Sequence, residues 1–354
     1  MRKLLLLLVI VGGAGAWLFL PADDASGAKS FARESSADAP PAPAEAEDDA
    51  PYWAEAENAV AGGELERGQA LLEGYLEREA PAPEVFELLS TIARRSGDAS
   101  TAVAYAESAI ELAPERGEAY VTKTRALQQR IARAGRLQAM MSIGDLKRTT
   151  ARAVELAPNS VQALVDRGHF FLYTPGLAGG DADAVPGVVE RLAALDPVQS
   201  IALDVARLHR ADRFDDALAL CRAGLAEHPE GQELHLLLGR LLNETDDVAG
   251  AEAAFRAALS GPADEPRFKA SYKLAKILIQ AERGYDEAVG LLNGFLDGLR
   301  RCDVLNTAAA AHWWIGRAHE AWGHPEKARA SYEEALRNDD DFDQARESLE
   351  HLDA

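Results

Sequence analysis

The chain has 354 residues, enough for two ordinary domains or one extended repeat array. Its apolar fraction is 47% but its aromatic fraction only 6%, an alanine- and leucine-rich balance that suits closely packed helices better than sheets. A formal net charge of -21 leaves no large basic surface to neutralise phosphates, which argues against nucleic acid and, for the chain as a whole, against docking on anionic lipid.

At the amino terminus Arg2 and Lys3 precede an apolar run, Leu4–Leu20, the charged and hydrophobic regions of a segment addressed to a translocase. Ala14-Gly15-Ala16 and Ser26-Gly27-Ala28 resemble cleavage sites of a signal peptide. The 17-residue run is also long enough to span a bilayer uncleaved, with its positive flank cytoplasmic. Both readings place the bulk of the chain outside the cytoplasm, in the periplasm, secreted or tethered to the inner membrane by residues 4–20. No cysteine ends the run, so nothing supports lipid attachment. Residues 21–51 hold Pro40, Pro41 and Pro43 and eight acids against Lys29 and Arg33, too little apolar surface to offset chain entropy. They are read as a disordered acidic linker.

From Tyr52 to Ala354 the sequence predicts helix after helix, separated by Gly-Asp or Ala-Asp turns and by prolines. A unit of fixed register recurs at Pro83–Arg116, Val198–Gly231, Gln232–Glu265 and Ala309–Phe342. In the third, Gly239 falls at position 8, Ala251 at 20, Phe255 at 24 and Ala258 at 27; in the last, Gly316, Ala328, Tyr332 and Ala335 hold those places. Two antiparallel helices approach closely only where side chains are small, so positions 8, 20 and 27 are expected at the crossing. Position 24 is expected to fill the gap toward the next repeat. Tyr52–Ala82 and Lys269–Arg300 fit with departures. Gly117–Pro158 is about ten residues too long for the register and predicts an overlong hairpin, Tyr120–Ala139 and Gly144–Leu156. Asn159–Pro197 carries an insertion, Thr174–Asp181, and Phe342–Leu352 is expected to cap the last open apolar face.

These residues resemble the tetratricopeptide-repeat (TPR) family. The run Ala153–Pro158, the Phe170–Tyr173 segment with its Pro-Gly-Leu-Ala-Gly-Gly-Asp loop, and Ala311–Gly316 are similar to exported bacterial members of unassigned chemistry. The resemblance implies an all-α fold, a right-handed α-α superhelix of about eight helix pairs plus a C-terminal capping helix.

Catalytic motifs are missing from the sequence: there is no Gly-x-Ser-x-Gly, no His-Glu-x-x-His and no phosphate-binding loop with Gly-Lys-Ser/Thr. Gly176–Asp181 reads as an ordered turn packed on an adjacent repeat. His312 and His319, with His324 following, suggest a zinc site, but the first two fall at positions 4 and 11, which are packing positions, and read as interhelical histidines. Asp339, Asp341, Asp343 and Glu350 have calcium-loop spacing, but Gln344 stands where the loop needs glycine; Asp341 or Asp343 is instead expected to cap the last helix. Cys221 lies on an apolar helix face and reads as a buried free thiol, with a bridge to Cys302 as the alternative in an oxidising compartment.

In this family the first-helix positions 2, 5, 9, 12 and 13 face the ligand. Here they carry Arg94, Arg125, Arg240, Lys273, Trp313 and Arg317, with His209 and Arg210 beside them, while Glu84, Glu87, Glu118, Glu233 and Glu320 share the face. Arginine forks and a tryptophan suit an extended acidic peptide or a carboxylate terminus. The sequence therefore predicts a non-enzymatic adaptor of the cell envelope. Its expected partner is a protein or peptide, acidic in character; no cofactor, metal or nucleic acid is expected, and a membrane only through the N-terminal segment. The alternative is a periplasmic partner of a solute transporter, with a cavity between the long hairpin and the glycine-rich loop.

Overall fold

The computed structural model describes residues 50–302 and 308–353. The predicted signal or anchor segment lies outside the described residues, as does the acidic linker except for Ala50 and Pro51, which open the first helix. Among the described residues there are seventeen α-helices and no strand, and none of the helices is long and apolar enough to cross a membrane.

Helix starts follow from local chemistry. Asp98, Ser160, Asp196 and Asp247 each accept the N–H three residues on, at 2.9–3.3 Å, satisfying a donor that the first helical turn leaves orphaned. Pro83, Pro197 and Pro325 occupy the first turn, where their missing N–H costs nothing. The resulting helices pair as antiparallel hairpins: α1 (Ala50–Gly62) with α2 (Leu65–Leu76), α3 (Pro83–Arg95) with α4 (Ala99–Leu112), α5 (Gly117–Arg133) with α6 (Arg136–Leu156), and α7 (Val161–Tyr173) with α8 (Val185–Ala193). They continue as α9 (Pro197–Arg210) with α10 (Phe214–Glu227), α11 (Gln232–Glu244) with α12 (Val248–Ala258), α13 (Glu265–Gln280) with α14 (Tyr285–Leu299), and α15 (Ala308–Ala321) with α16 (Pro325–Asn338). The last helix, α17 (Asp343–Asp353), is the expected cap. Its Ala345, and Phe342 just before it, are buried in the cluster that holds Tyr332 and Ala335.

Seven of the hairpins have a left-handed residue in their connection, Gly63, Gly97, Gly179, Asp212, Asp246, Glu282 or Gly323. The turn of the long hairpin differs: Ala134 and Gly135 are both extended, and α6 starts at once. The break therefore falls at 134–135 and not at the expected 140–143. Ala139, Ile143 and Leu146 are buried on one face of α6, so the apolar period runs straight through the segment where the break was expected.

Position 24 does more than fill the expected gap: Phe255 shares a cluster with Phe268 and Tyr272 of the next repeat and also packs inside its own. A Cβ on Gly239 would lie 2.6 Å from the Phe255 ring, and one on Gly316 would lie 2.3 Å from the Tyr332 ring. The large side chain at position 24 thus covers the glycine at position 8 of its own repeat. Where position 8 is Val205, position 24 shrinks to Cys221; both are buried in the same cluster. Where position 8 is Ser90, its hydroxyl donates to the Ala102 carbonyl at 2.7 Å, satisfying a fully buried polar group. Cys221 is a buried free thiol that donates to the Leu234 carbonyl at 3.3 Å, and burial pushes it up to about 12.

The stack curves strongly enough that distant repeats touch. Arg300, after α14, donates to the Gly63 carbonyl at 3.2 Å and pairs with Glu66 at the other end of the stack. Arg125 on α5 reaches Glu265 on α13 at 3.8 Å.

Candidate functional site

The first helices of successive pairs line the inner face, and the curvature brings α5 and α7 against α11 and α13. Polar residues of these four helices are consequently buried. Asp166 and His169 on α7, Glu233 on α11 and Lys269 on α13 are each at most 8% exposed. Asp166 accepts from Gln128 Nε2 of α5 at 3.3 Å, and Lys269 pairs with Glu265 one turn away. Burial pushes the Asp166 carboxyl up to about 6, against the Arg125 charge and the amides of Gln162 and Gln128. Burial, with the Lys269 and Arg240 charges, pushes His169 down to about 4, so its ring is neutral. Burial also raises Glu233, although Lys269 opposes it. Asp166 Oδ2, His169 Nδ1 and Glu233 Oε1 are buried with no protein hydrogen-bond partner.

Beside this cluster the inner face is positive. Arg240 on α11 and Lys273 and Lys276 on α13 are half-buried, and among the described residues none of the three makes an ion pair within 4.0 Å. Burial, followed by the charges of Arg240 and Lys276, pushes Lys273 down to about 8. The balancing acid is Glu244, which burial would raise, but the His209 bond at 2.5 Å and the Arg240 and Lys273 charges hold it below the usual carboxylate range. Lys276 also faces Trp314, 4.9 Å from the ring centroid. Arg210 at the end of α9 is exposed.

Of the six residues expected in the groove, the structure gathers three: Arg125, Arg240 and Lys273. Arg94 is buried under α5, where its carbonyl accepts from Gln129 Nε2 at 2.9 Å. Trp313 spends its indole N–H on the cap, donating to the Gln344 carbonyl at 3.1 Å and to Ser348 Oγ at 3.0 Å. Arg317 lies over the Trp313 ring, 5.3 Å from its centroid, and is otherwise exposed. Asp166, His169 and Lys269 were not anticipated. Asp166 and His169 stand with Arg167 within Ala163–Leu172, an otherwise apolar run, and three titratable groups in such a run are a readable signal.

The glycine-rich insertion forms two short 3-10 turns, Gly176–Ala178 and Ala182–Ala184. A Cβ on Gly179 would lie 2.8 Å from the Lys147 side chain of α6, and one on Gly180 would lie 1.7 Å from the Thr174 carbonyl oxygen. At Gly179 the loop is packed directly on the long hairpin. Among the described residues no group of three or more His, Cys, Asp or Glu side chains is placed to hold a metal ion. Asp343, expected as a cap, pairs with Arg346 instead, and Asp339 accepts from the Asp341 N–H at 3.2 Å.

Tetratricopeptide-repeat family models match residues 208–276 and 309–342. The chain carries tetratricopeptide repeats. Yeast Tom70 is similar in structure, with a TM-score of 0.58 at 16% identity, over 82% of this chain and 58% of Tom70. A human IFIT1 dimer solved with m7Gppp-AAAA gives a TM-score of 0.50 at 18% identity, over 85% of this chain and 71% of IFIT1. The Cut9–Hcn1 assembly gives 0.47 at 16% identity, over 85% of this chain and 55% of the matched one. The TPR chain thus spans a little over half the length of the Cut9–Hcn1 and Tom70 chains. The likenesses to Tom70 and IFIT1 show the fold, an all-α superhelix. No curated protein matches the sequence. The tetratricopeptide repeats support a protein–protein interaction scaffold.

Proposed function

We propose that this TPR protein is a non-enzymatic adaptor of the cell envelope, and that its inner face takes an extended peptide or protein segment rich in carboxylates. The envelope location rests on the apolar run Leu4–Leu20 behind Arg2 and Lys3. The observation that carries the ligand class is the group Arg240, Lys273 and Lys276: three cations on neighbouring inner helices, without ion pairs among the described residues, in a chain of net charge -21. Arginine offers a planar fork to a carboxylate, and an anion bound beside Lys273 would offset the cost of keeping its ammonium half-buried.

The test is fluorescence anisotropy of the folded protein with labelled peptides that end in acidic residues, set against amidated and lysine-bearing counterparts. Capture of the acidic set is expected. Arg240→Glu and Lys273→Glu should each weaken it by on the order of tenfold to a hundredfold, the scale for removing one partner of a desolvated charge pair. Equal binding of all three peptide sets, or no effect of either reversal, would sink the proposal.

A further inference from the structure

The overlong hairpin α5–α6 carries a second surface, on the outside of the stack. Between Val121 and Val154 the sequence has eight basic residues and one acid, Asp145, in a chain whose net charge is -21. Several of these cations are neutralised within the fold: Lys123 by Glu107 and Asp145, Arg125 by Glu265, and Arg152 by Glu115 and Glu155. Lys147 and Arg148 are exposed; among the described residues Lys147 makes no ion pair, and Arg148 reaches only Asp145, at 3.5 Å.

Next to these cations the first turns of α6 present Leu137, Met140 and Met141, at 76%, 61% and 77% exposure. Their spacing of three and four residues puts them on one face of the helix, opposite the buried Ala139, Ile143 and Leu146. Leu177 of the loop packed on α6 is also fully exposed, while its neighbour Ala178 packs into the cluster that contains Ala139, Ile143 and Leu146. Single exposed apolar residues are ordinary, but an apolar stripe bordered by cations on an otherwise acidic protein is not. An acyl boundary accepts flexible methionine and leucine side chains, and anionic headgroups complement lysine and arginine.

We infer that the tip of this hairpin docks on an anionic phospholipid surface, with Leu137, Met140 and Met141 entering the headgroup–acyl boundary and Lys147 and Arg148 at the headgroups. Whole-chain charge hides this surface because Asp145 is the one acid among the eight basic residues between Val121 and Val154. The inference stands on the hairpin alone and does not require the inner face to bind a peptide.

The test places an environment-sensitive dye on the full chain through Met141→Cys in a Cys302→Ser background, leaving the buried Cys221 unlabelled. Vesicles of phosphatidylcholine alone are compared with vesicles that also contain phosphatidylglycerol. A blue-shifted emission that acyl-chain nitroxides quench is expected only with the anionic vesicles. Lys147→Glu with Arg148→Glu should lower the docked-to-undocked ratio by on the order of tenfold or more. Unchanged emission with anionic vesicles overturns the inference. So does an emission already shifted before lipid is added, which would assign the patch to the acidic segment 21–51 or to a second copy. A shift produced by an acidic protein and not by lipid overturns it as well. The labelled sites are exposed, so unchanged far-ultraviolet circular dichroism is expected throughout.

Discussion

The pair α11–α12 and the pair α5–α6 are built by different rules. In α11–α12 a glycine lies under a phenylalanine, an aspartate caps the second helix, and the turn passes through the left-handed Asp246. Each device sets the angle and spacing of one helix against its own partner, so the geometry is local and repeatable. In α5–α6 the turn has no left-handed residue and the second helix has no side-chain cap bond. Its Arg125 and Gln128 instead engage α13 and α7. The regular repeat therefore fixes the superhelix, whereas the irregular one spends its side chains on distant partners and on the exposed face of α6.

The sharpest way to break this contrast is through the local rule itself. Phe255→Ala removes a ring that is 1% exposed and should cost about 3–5 kcal/mol. Gly239→Val alone should cost about 1–3 kcal/mol, since its Cβ would lie 2.6 Å from that ring. Gly239→Val combined with Phe255→Cys recreates the pairing of Val205 with Cys221 one repeat earlier. The double variant is expected to be more stable than the sum of its two single losses predicts, by 0.5–3 kcal/mol for residues in contact. Urea unfolding gives the totals, and hydrogen exchange in α11 and α12 localises them. Simple additivity would show that positions 8 and 24 do not share one space.

The same division explains what could be read from the sequence. The unit Ala309–Phe342 was legible from spacing alone and coincides with the residues that a family model matches. Small residues at crossings, and an aspartate cap before α4 and α12, are local signals. The register fails in Asn159–Pro197, where the insertion intervenes, so inner-face positions could not be assigned there and Asp166 and His169 went unread. Their burial depends on α11 and α13, which lie far along the chain and arrive only through the curvature of the stack. Trp313 shows the opposite failure: its position was read correctly, but α17 supplies a carbonyl and a hydroxyl for its N–H.

Asp166 and His169 allow the buried cluster to be tested by pH. Asp166 is raised from 3.8 to about 6, so its favourable contribution is full below the unfolded value and is lost as pH rises through about 6. His169 is lowered from 6.5 to about 4, so its contribution is full above the unfolded value and is lost as pH falls through about 4. Between those limits the two slopes oppose each other, each with a span on the order of 3 kcal/mol. Relative to the parent chain, Asp166→Asn should make stability fall more steeply as pH drops from 6.5 toward 4. His169→Gln should make it rise over the same interval. Melting temperatures across that range, taken as differences from the parent, would show parallel curves if the two groups were solvated instead of buried.

The smallest expected effect lies within one helix. Gly290, Gly294 and Gly298 follow one another at four-residue spacing along α14. A Cβ on Gly290 or Gly294 would meet nothing within 4 Å, whereas one on Gly298 would lie 2.3 Å from the Phe268 ring of α13. Glycine in a helix interior costs backbone entropy that alanine does not, so Gly290→Ala and Gly294→Ala should each stabilise the protein by about 0.5–1 kcal/mol. Gly298→Ala gains the same propensity but must displace a ring that is 8% exposed, so its sign should reverse. Thermal unfolding of the three single variants decides the matter. A gain at Gly298 equal to the other two would mean that Phe268 can move freely, and that this crossing is set by the α13–α14 turn instead of by close approach of the helices.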